Sequence, residues 1–191
     1  MFRWWYAIKM GWQQRKALKR FLVEAEQRVN GLSELTPERL EADNIAVLIL
    51  DFDGVLAWHD ANTPLPEAER WLKHLCQTIG EQRIALFTNK PKPERIAYFQ
   101  KHFPLIFIVH SVRRKPYPQG ILQVAEYKGI SAHRVALLDD RLLTGMLSVC
   151  LAYSQGYYFT KPYQHYLRHP CKELFFSSLR VLERCLIRIL G

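Results

Sequence analysis

Hydrophobic residues fall along this chain in short unbroken runs, each cut off by polar residues capable of chemistry. Ile45-Ala-Val-Leu-Ile-Leu50 runs straight into Asp51-Phe-Asp-Gly-Val-Leu56, and Arg83-Ile-Ala-Leu-Phe ends in Thr88-Asn89. Leu105-Ile-Phe-Ile-Val109 is followed by Arg113-Arg114-Lys115-Pro116, and Val135-Ala-Leu-Leu ends in Asp139-Asp140. A short continuous apolar run bounded by turn formers predicts a strand buried on both faces. Asp51, Thr88, Lys115 and Asp140 are separated by 37, 27 and 25 residues, each interval close to one strand-helix-strand unit of ~30 residues. The pattern predicts an α/β fold: a parallel, three-layer, Rossmann-like sheet with helices on both faces and a fifth strand ending near Tyr158. All four polar tips then lie on one edge, where open α/β sheets carry their sites.

The types of residue at those tips define a chemistry. Side chains at i and i+2 of a strand share a face, so Asp51 and Asp53 reach one ligand, and two carboxylates so close repel unless a cation or proton lies between them. Hydrolysis of a phosphate monoester needs a nucleophile, a proton and neutralisation of oxygen charge. Asp51 suits the nucleophile, giving an aspartyl-phosphate, and Asp53 the acid that protonates the leaving oxygen and then deprotonates water. Thr88 and Asn89 would hydrogen-bond phosphoryl oxygens, with Lys115 offsetting their charge. Asp139 or Asp140, with Asp51 and the Asp53 carbonyl, would complete an all-oxygen site suited to Mg²⁺ rather than zinc.

In this order the four segments resemble the motifs of the haloacid dehalogenase (HAD) superfamily: Asp51-Phe52-Asp53-Gly54-Val55, Thr88, Lys115 and Asp139-Asp140. The resemblance runs from about Thr36 to Tyr158. Leu35-Thr-Pro-Glu-Arg-Leu40, Arg114-Lys115-Pro116 and Leu142-Leu143-Thr144 make it similar to the YqeG-type, phosphatidylglycerophosphatase-like branch. That branch reads Gly-Asp-Gln-Leu-x-Thr-Asp in the fourth motif. Here Asp140 matches the first acid, Gly145 stands in place of the second, and Asp139 replaces a glycine. The resemblance implies a Mg²⁺-dependent phosphatase that converts phosphatidylglycerophosphate to phosphatidylglycerol; Arg114, next to Lys115 near a strand tip, is a candidate for binding phosphate or substrate.

Composition sets the frame for that chemistry. The chain has 191 residues and 49% hydrophobic content, enough for one full core. The motif intervals leave no room for a cap domain of ~50 residues, so an open site would accept a large or surface-bound phosphomonoester. Cys76, Cys150, Cys171 and Cys185 form no CxxC. They read as buried small hydrophobes in a reducing compartment, Cys150 in a strand and Cys171 and Cys185 on or beside a helix. The seven histidines, His102, His110, His165 and His169 among them, show no metal-ligand spacing.

The organisation expected is a basic, aromatic helical segment over residues 1–35, a phosphatase core over 36–165 and an amphipathic helix over 166–191. Residues 1–20 carry six cations, no acids, and Trp4, Trp5 and Trp12. Helical periodicity is poor through Gly11, whereas Leu18, Phe21, Leu22, Ala25 and Val29 line one helical face up to Asn30-Gly31. Near the other end Leu174, Phe175, Leu179, Leu182, Leu186, Ile189 and Leu190 form an apolar face opposite Arg180, Arg184 and Arg188. Basic helices rich in Trp, Phe and Leu fit an anionic membrane surface, and the last helix equally fits packing on its own domain with a solvated charged face. The net charge of +9 restricts partners to polyanions. No nucleic-acid motif accompanies it, and no secretory or membrane-spanning run appears. The location expected is cytoplasmic, peripheral on the inner membrane face. Arg113, Arg114, Tyr117, Lys161 and Tyr163 read as the rim of the site. Two alternatives remain: a soluble phosphatase acting on a protein or nucleic-acid phosphate, and a silent binding module on the same fold.

Overall fold

A computed structural model describes residues 2–109, 112–168 and 170–190; His110 and His169 lie outside them. Six strands form one sheet in which every pairing is parallel: β1 (Arg28–Val29), β2 (Val47–Leu50), β3 (Ile84–Leu86), β4 (Phe107–Ile108), β5 (Val135–Asp139) and β6 (Gln155–Phe159). Their order is β1-β6-β5-β2-β3-β4. The chain therefore steps outward from β2 to β4, then returns across the sheet to β5. The order reverses between β2 and β5, which opens a crevice at their carboxyl ends.

Strict alternation divides the core in two. Leu48, Leu50, Ile84, Leu86, Ala136 and Leu138 point to one face, where α3 (Pro37–Ala42), α4 (Pro66–Ile79) and α5 (Pro93–His102) supply Leu40, Leu72, Leu75 and Phe99. Val47, Ile49, Ala85, Phe87, Val135 and Leu137 point to the other. There they meet Leu18 and Phe21 of α2 (Arg15–Val23), Ile121 and Val124 of α6 (Gln119–Lys128), Leu147 and Val149 of α7 (Leu147–Ala152), and Ile187 of α8 (Pro170–Leu190). Burial on both faces explains why these strands read as unbroken apolar runs. The connections from β2 to α4 (51–65) and from β3 to α5 (87–92) are loops, and no cap domain is present among the described residues.

The structure differs from the sequence expectation in four respects. Helix α1 (Arg3–Gln13) continues through Gly11, which is buried against Leu143: a Cβ there would approach Leu143 Cδ2 to 2.7 Å. Gly11 is a point of close packing, so its weak periodicity does not mark a break. Val29 is not on a helix; α2 stops at Val23, and Val29 pairs with Phe159 in the sheet. Cys150 lies on α7, not in a strand, and Cys171 and Cys185 are exposed rather than buried. Finally, α8 is turned the other way round: Glu173, Arg180, Glu183 and Ile187 face inward, while Leu174, Phe175, Val181, Leu182 and Ile189 are exposed. No described helix is long and apolar enough to cross a membrane.

Candidate active site

The crevice collects the four tips. Asp51 follows β2, Asp139 ends β5 and Asp140 follows it, and their carboxylate oxygens lie within 4.8 Å of one another, all three residues buried. Lys115 Nζ donates to Asp51 Oδ1 at 2.8 Å and to Asp139 Oδ2 at 2.5 Å, and this ammonium lies over the Phe87 ring at 5.3 Å from its centroid. Asn89 fixes this lysine from behind: its Oδ1 accepts from the Lys115 backbone N–H at 2.8 Å, and its Nδ2 donates to the Lys115 carbonyl at 3.4 Å. Gly54, with φ +89°, lets the chain turn directly after Asp53, a conformation favourable only to glycine. Thr88 is buried next to this turn, and Arg114 lies exposed at the mouth. The structure thus brings Asp51, Asp53, Thr88, Asn89, Lys115, Asp139 and Asp140 to one strand edge.

The electrostatics follow from burial. Burial pushes the Asp51 carboxyl up to about 8, Lys115 opposes this, and Asp139, Asp53 and Asp140 add to it. Burial disfavours the charged Lys115, yet Asp139 and Asp51 outweigh it and raise that ammonium. Asp140 is raised by burial, with Arg180 opposing. Three buried carboxylates face two cations, Lys115 and Arg180, and leave surplus negative charge. A hard divalent ion with oxygen ligands fits that surplus, and the ligands at hand are Asp51, Asp139 and Asp140.

Several residues with no recognisable sequence signal surround this centre. Arg95 of α5 is fully buried: Nη1 and Nη2 donate to Asp53 at 3.2 and 3.0 Å, and Nη1 also reaches Thr88 Oγ1 at 3.0 Å. Its guanidinium covers the Phe52 ring at 3.6 Å. Removing such a partner leaves a largely buried carboxylate without its ion pair. Arg95→Met should therefore cost about 3 kcal/mol of stability, read as a lowered urea midpoint, together with loss of turnover. His59, paired with Glu173 at 3.2 Å and stacked on Phe176 at 3.9 Å, and Arg141, paired with Glu183, complete the wall. The one available signal was the spacing of Glu173, Arg180 and Glu183, which places three charges on one helical face.

Above the carboxylates lies a cavity of about 600 Å³. Trp4, Ala7 and Ile8 of α1 form one wall, and Phe175, Leu182 and Leu186 of α8 the other. Arg3, Lys90 and Arg114 add cations to its lining. Of the expected rim residues only Arg114 lines it. Tyr117 is buried against Tyr6, Arg113 lies over the Tyr117 ring, and Tyr163 packs on the opposite sheet face.

A parallel sheet with a reversal of strand order, a buried acid cluster that could hold a metal ion and a lysine spanning two of its members fit a hydrolase built on a Rossmann-like α/β fold. The chain belongs to the haloacid dehalogenase-like hydrolases, whose family model matches residues 5–147. No curated protein matches the chain. Among solved structures, one with a TM-score of 0.52 and 13% identity covers 77% of this chain and 85% of its own. The cobalt-bound deoxy-D-mannose-octulosonate 8-phosphate phosphatase from Haemophilus influenzae has a TM-score of 0.48 and 14% identity, over 74% of this chain and 90% of its own. An uncharacterized protein from Corynebacterium glutamicum has a TM-score of 0.48 and 20% identity, over 71% and 95% respectively. The likeness at 0.52 supports the fold alone.

Proposed function

We propose that this chain is a Mg²⁺-dependent phosphomonoesterase whose substrate is an anionic lipid, phosphatidylglycerophosphate in the YqeG-type assignment. The cavity carries the proposal: it is floored by carboxylates and lysine, edged by cations and walled by apolar side chains of α1 and α8. A pocket with few polar groups and mostly apolar walls selects a ligand of the same make-up, here a phosphate next to hydrocarbon. Exposed Trp4 and Leu182 in the cavity lining, with exposed Trp5 and Trp12 on the same helix as Trp4, together with the net charge of +9, favour work at an anionic membrane surface. In this arrangement α1 and α8 wall the entrance, while α2 and β1 join residues 36–165 in the phosphatase core.

Chemistry follows from the positions of the side chains. Asp51 attacks phosphorus, the bond to the leaving oxygen breaks, and Asp53 supplies the proton that this oxygen needs. In the second half Asp53 takes a proton from water, whose oxygen attacks the phosphoryl-aspartate and frees Asp51. Thr88 and Lys115 hold the phosphoryl oxygens, Arg114 meets the head group, and Asn89 acts by fixing Lys115. A Mg²⁺ ion held by Asp51, Asp139 and Asp140, with the Asp53 carbonyl, would supply charge neutralisation. Asp139 fills the space beside Gly145: a Cβ on that glycine would come within 2.3 Å of its carboxylate. This favours Asp139 as the substitute for the acid absent at 145.

Phosphate release from phosphatidylglycerophosphate in mixed micelles, with and without Mg²⁺ and beside a soluble aryl phosphate, tests the proposal. The lipid should be cleaved at least about tenfold faster than the aryl ester. Leu182→Glu should lower that ratio about tenfold, the equivalent of one lost apolar contact of ~1.4 kcal/mol. Cleavage of the aryl ester alone would keep the chemistry and discard the lipid. Folded protein silent on both esters would point to a binding module.

A further inference from the structure

The family model ends at residue 147, yet part of the acid cluster is held from beyond it. Arg180 of α8 is 3% exposed, and its Nε donates to Asp140 Oδ2 at 2.5 Å. Three residues on, Glu183 accepts from Arg141 Nε at 3.0 Å and from the backbone N–H of Leu142, also at 3.0 Å. The turn that carries Asp140 and Arg141 is therefore gripped from one helical face, at its carboxylate and at its backbone. Seven residues before Arg180, Glu173 accepts from the His59 backbone N–H at 3.3 Å and pairs with its ring. Glu173, Arg180 and Glu183 recur at helical spacing, so one rigid element sets the geometry of the loops after both β2 and β5.

We infer that Arg180 is the positioning residue for the metal ligand Asp140, and that α8 is a working part of the ion site. This rests on the metal-site assignment above. Asp140 offers two oxygens; Arg180 takes one, and the other accepts no hydrogen bond among the described residues. A carboxylate held at one oxygen by a fixed donor presents the second in a defined direction, and outer partners of this kind tune metal affinity by about 10- to 100-fold. The donor in use is Nε, inside the planar fork. Lysine carries a carbon at that place and ends in a single ammonium, so it keeps the charge and loses the geometry. Nη1 and Nη2 of Arg180 are buried without partners. Asp140 is thus the one hydrogen-bond partner of this guanidinium among the described residues.

The test uses the full chain and measures Mg²⁺ binding by calorimetry, Mg²⁺ dependence of phosphate release, and thermal melting in chelator. Arg180→Gln is expected to fold, to bind Mg²⁺ about 10- to 100-fold more weakly, and to recover turnover as Mg²⁺ is raised. Arg180→Lys should fall between wild type and Arg180→Gln, and it carries the test if the glutamine variant does not fold. Mg²⁺ affinity equal to wild type in either folded variant overturns the inference. So does tighter binding, which would make Arg180 a competitor of the ion. A wild-type chain that binds no divalent ion overturns the metal site itself, an outcome distinct from both.

Discussion

Asp51→Asn should lower phosphate release by at least a thousandfold, about 4 kcal/mol in the barrier. An amide matches the carboxylate in shape but cannot take up a phosphoryl group, and the neighbouring carboxylates are engaged: Asp53 by Arg95, Asp139 by Lys115 and Asp140 by Arg180. The same change should not unfold the chain. Asp51 is raised to about 8 by burial, so its folded-state value lies above the unfolded one of roughly 3.9. The unfolded state then releases its proton first, and stability in chelator falls as pH rises from about 4 to about 8. The asparagine variant lacks that titration, and its melting temperature in chelator should vary less over the same window. Turnover near wild type would remove Asp51 as nucleophile. Lost turnover with a collapsed melting temperature would make it a structural residue.

The second large effect concerns Gly145. Restoring the acid of the branch pattern with Gly145→Asp looks from sequence like a repair. In the structure a Cβ at 145 would lie 2.1 Å from Asp139 Cγ and 2.3 Å from its Cβ, closer than any non-bonded carbons come. Asp139 would have to leave Lys115, so overpacking adds to the breaking of a buried ion pair. We expect about 4 kcal/mol of destabilisation and loss of Mg²⁺-dependent turnover, measured by denaturant titration and phosphate release. Gly145→Ala carries the same clash without new charge and should lose nearly as much. A stable, more active Gly145→Asp would show that the position is a vacant ligand site instead.

The strands were legible because burial on both faces writes them as continuous apolar runs, and the motif residues because they sit where those runs stop. Arg95 was not legible: it lies within an ordinary helix start, Pro93-Glu-Arg, and only the fold brings it to Asp53, 42 residues away in sequence. Val29 was misread because a strand of two residues among helix-compatible neighbours carries no period of its own. The orientation of α8 was missed for a different reason. Amphipathicity reports that a helix has two faces, and the convention that the apolar one points inward fails when the inward neighbours are carboxylates and a polar turn.

The sheet's two borders have a consequence for how copies of the chain meet. Each edge strand, Arg28–Val29 and Phe107–Ile108, is only two residues long. A border so short offers almost no row of free amides on which a stranger's strand could add. Self-association by extending the sheet is thereby blocked, and a crowded solution of this protein has its sticky surface elsewhere, on the outward leucines and tryptophans of the two terminal helices. Detergent, rather than a change of salt or a denaturant that loosens strands, is the additive that should keep it monodisperse.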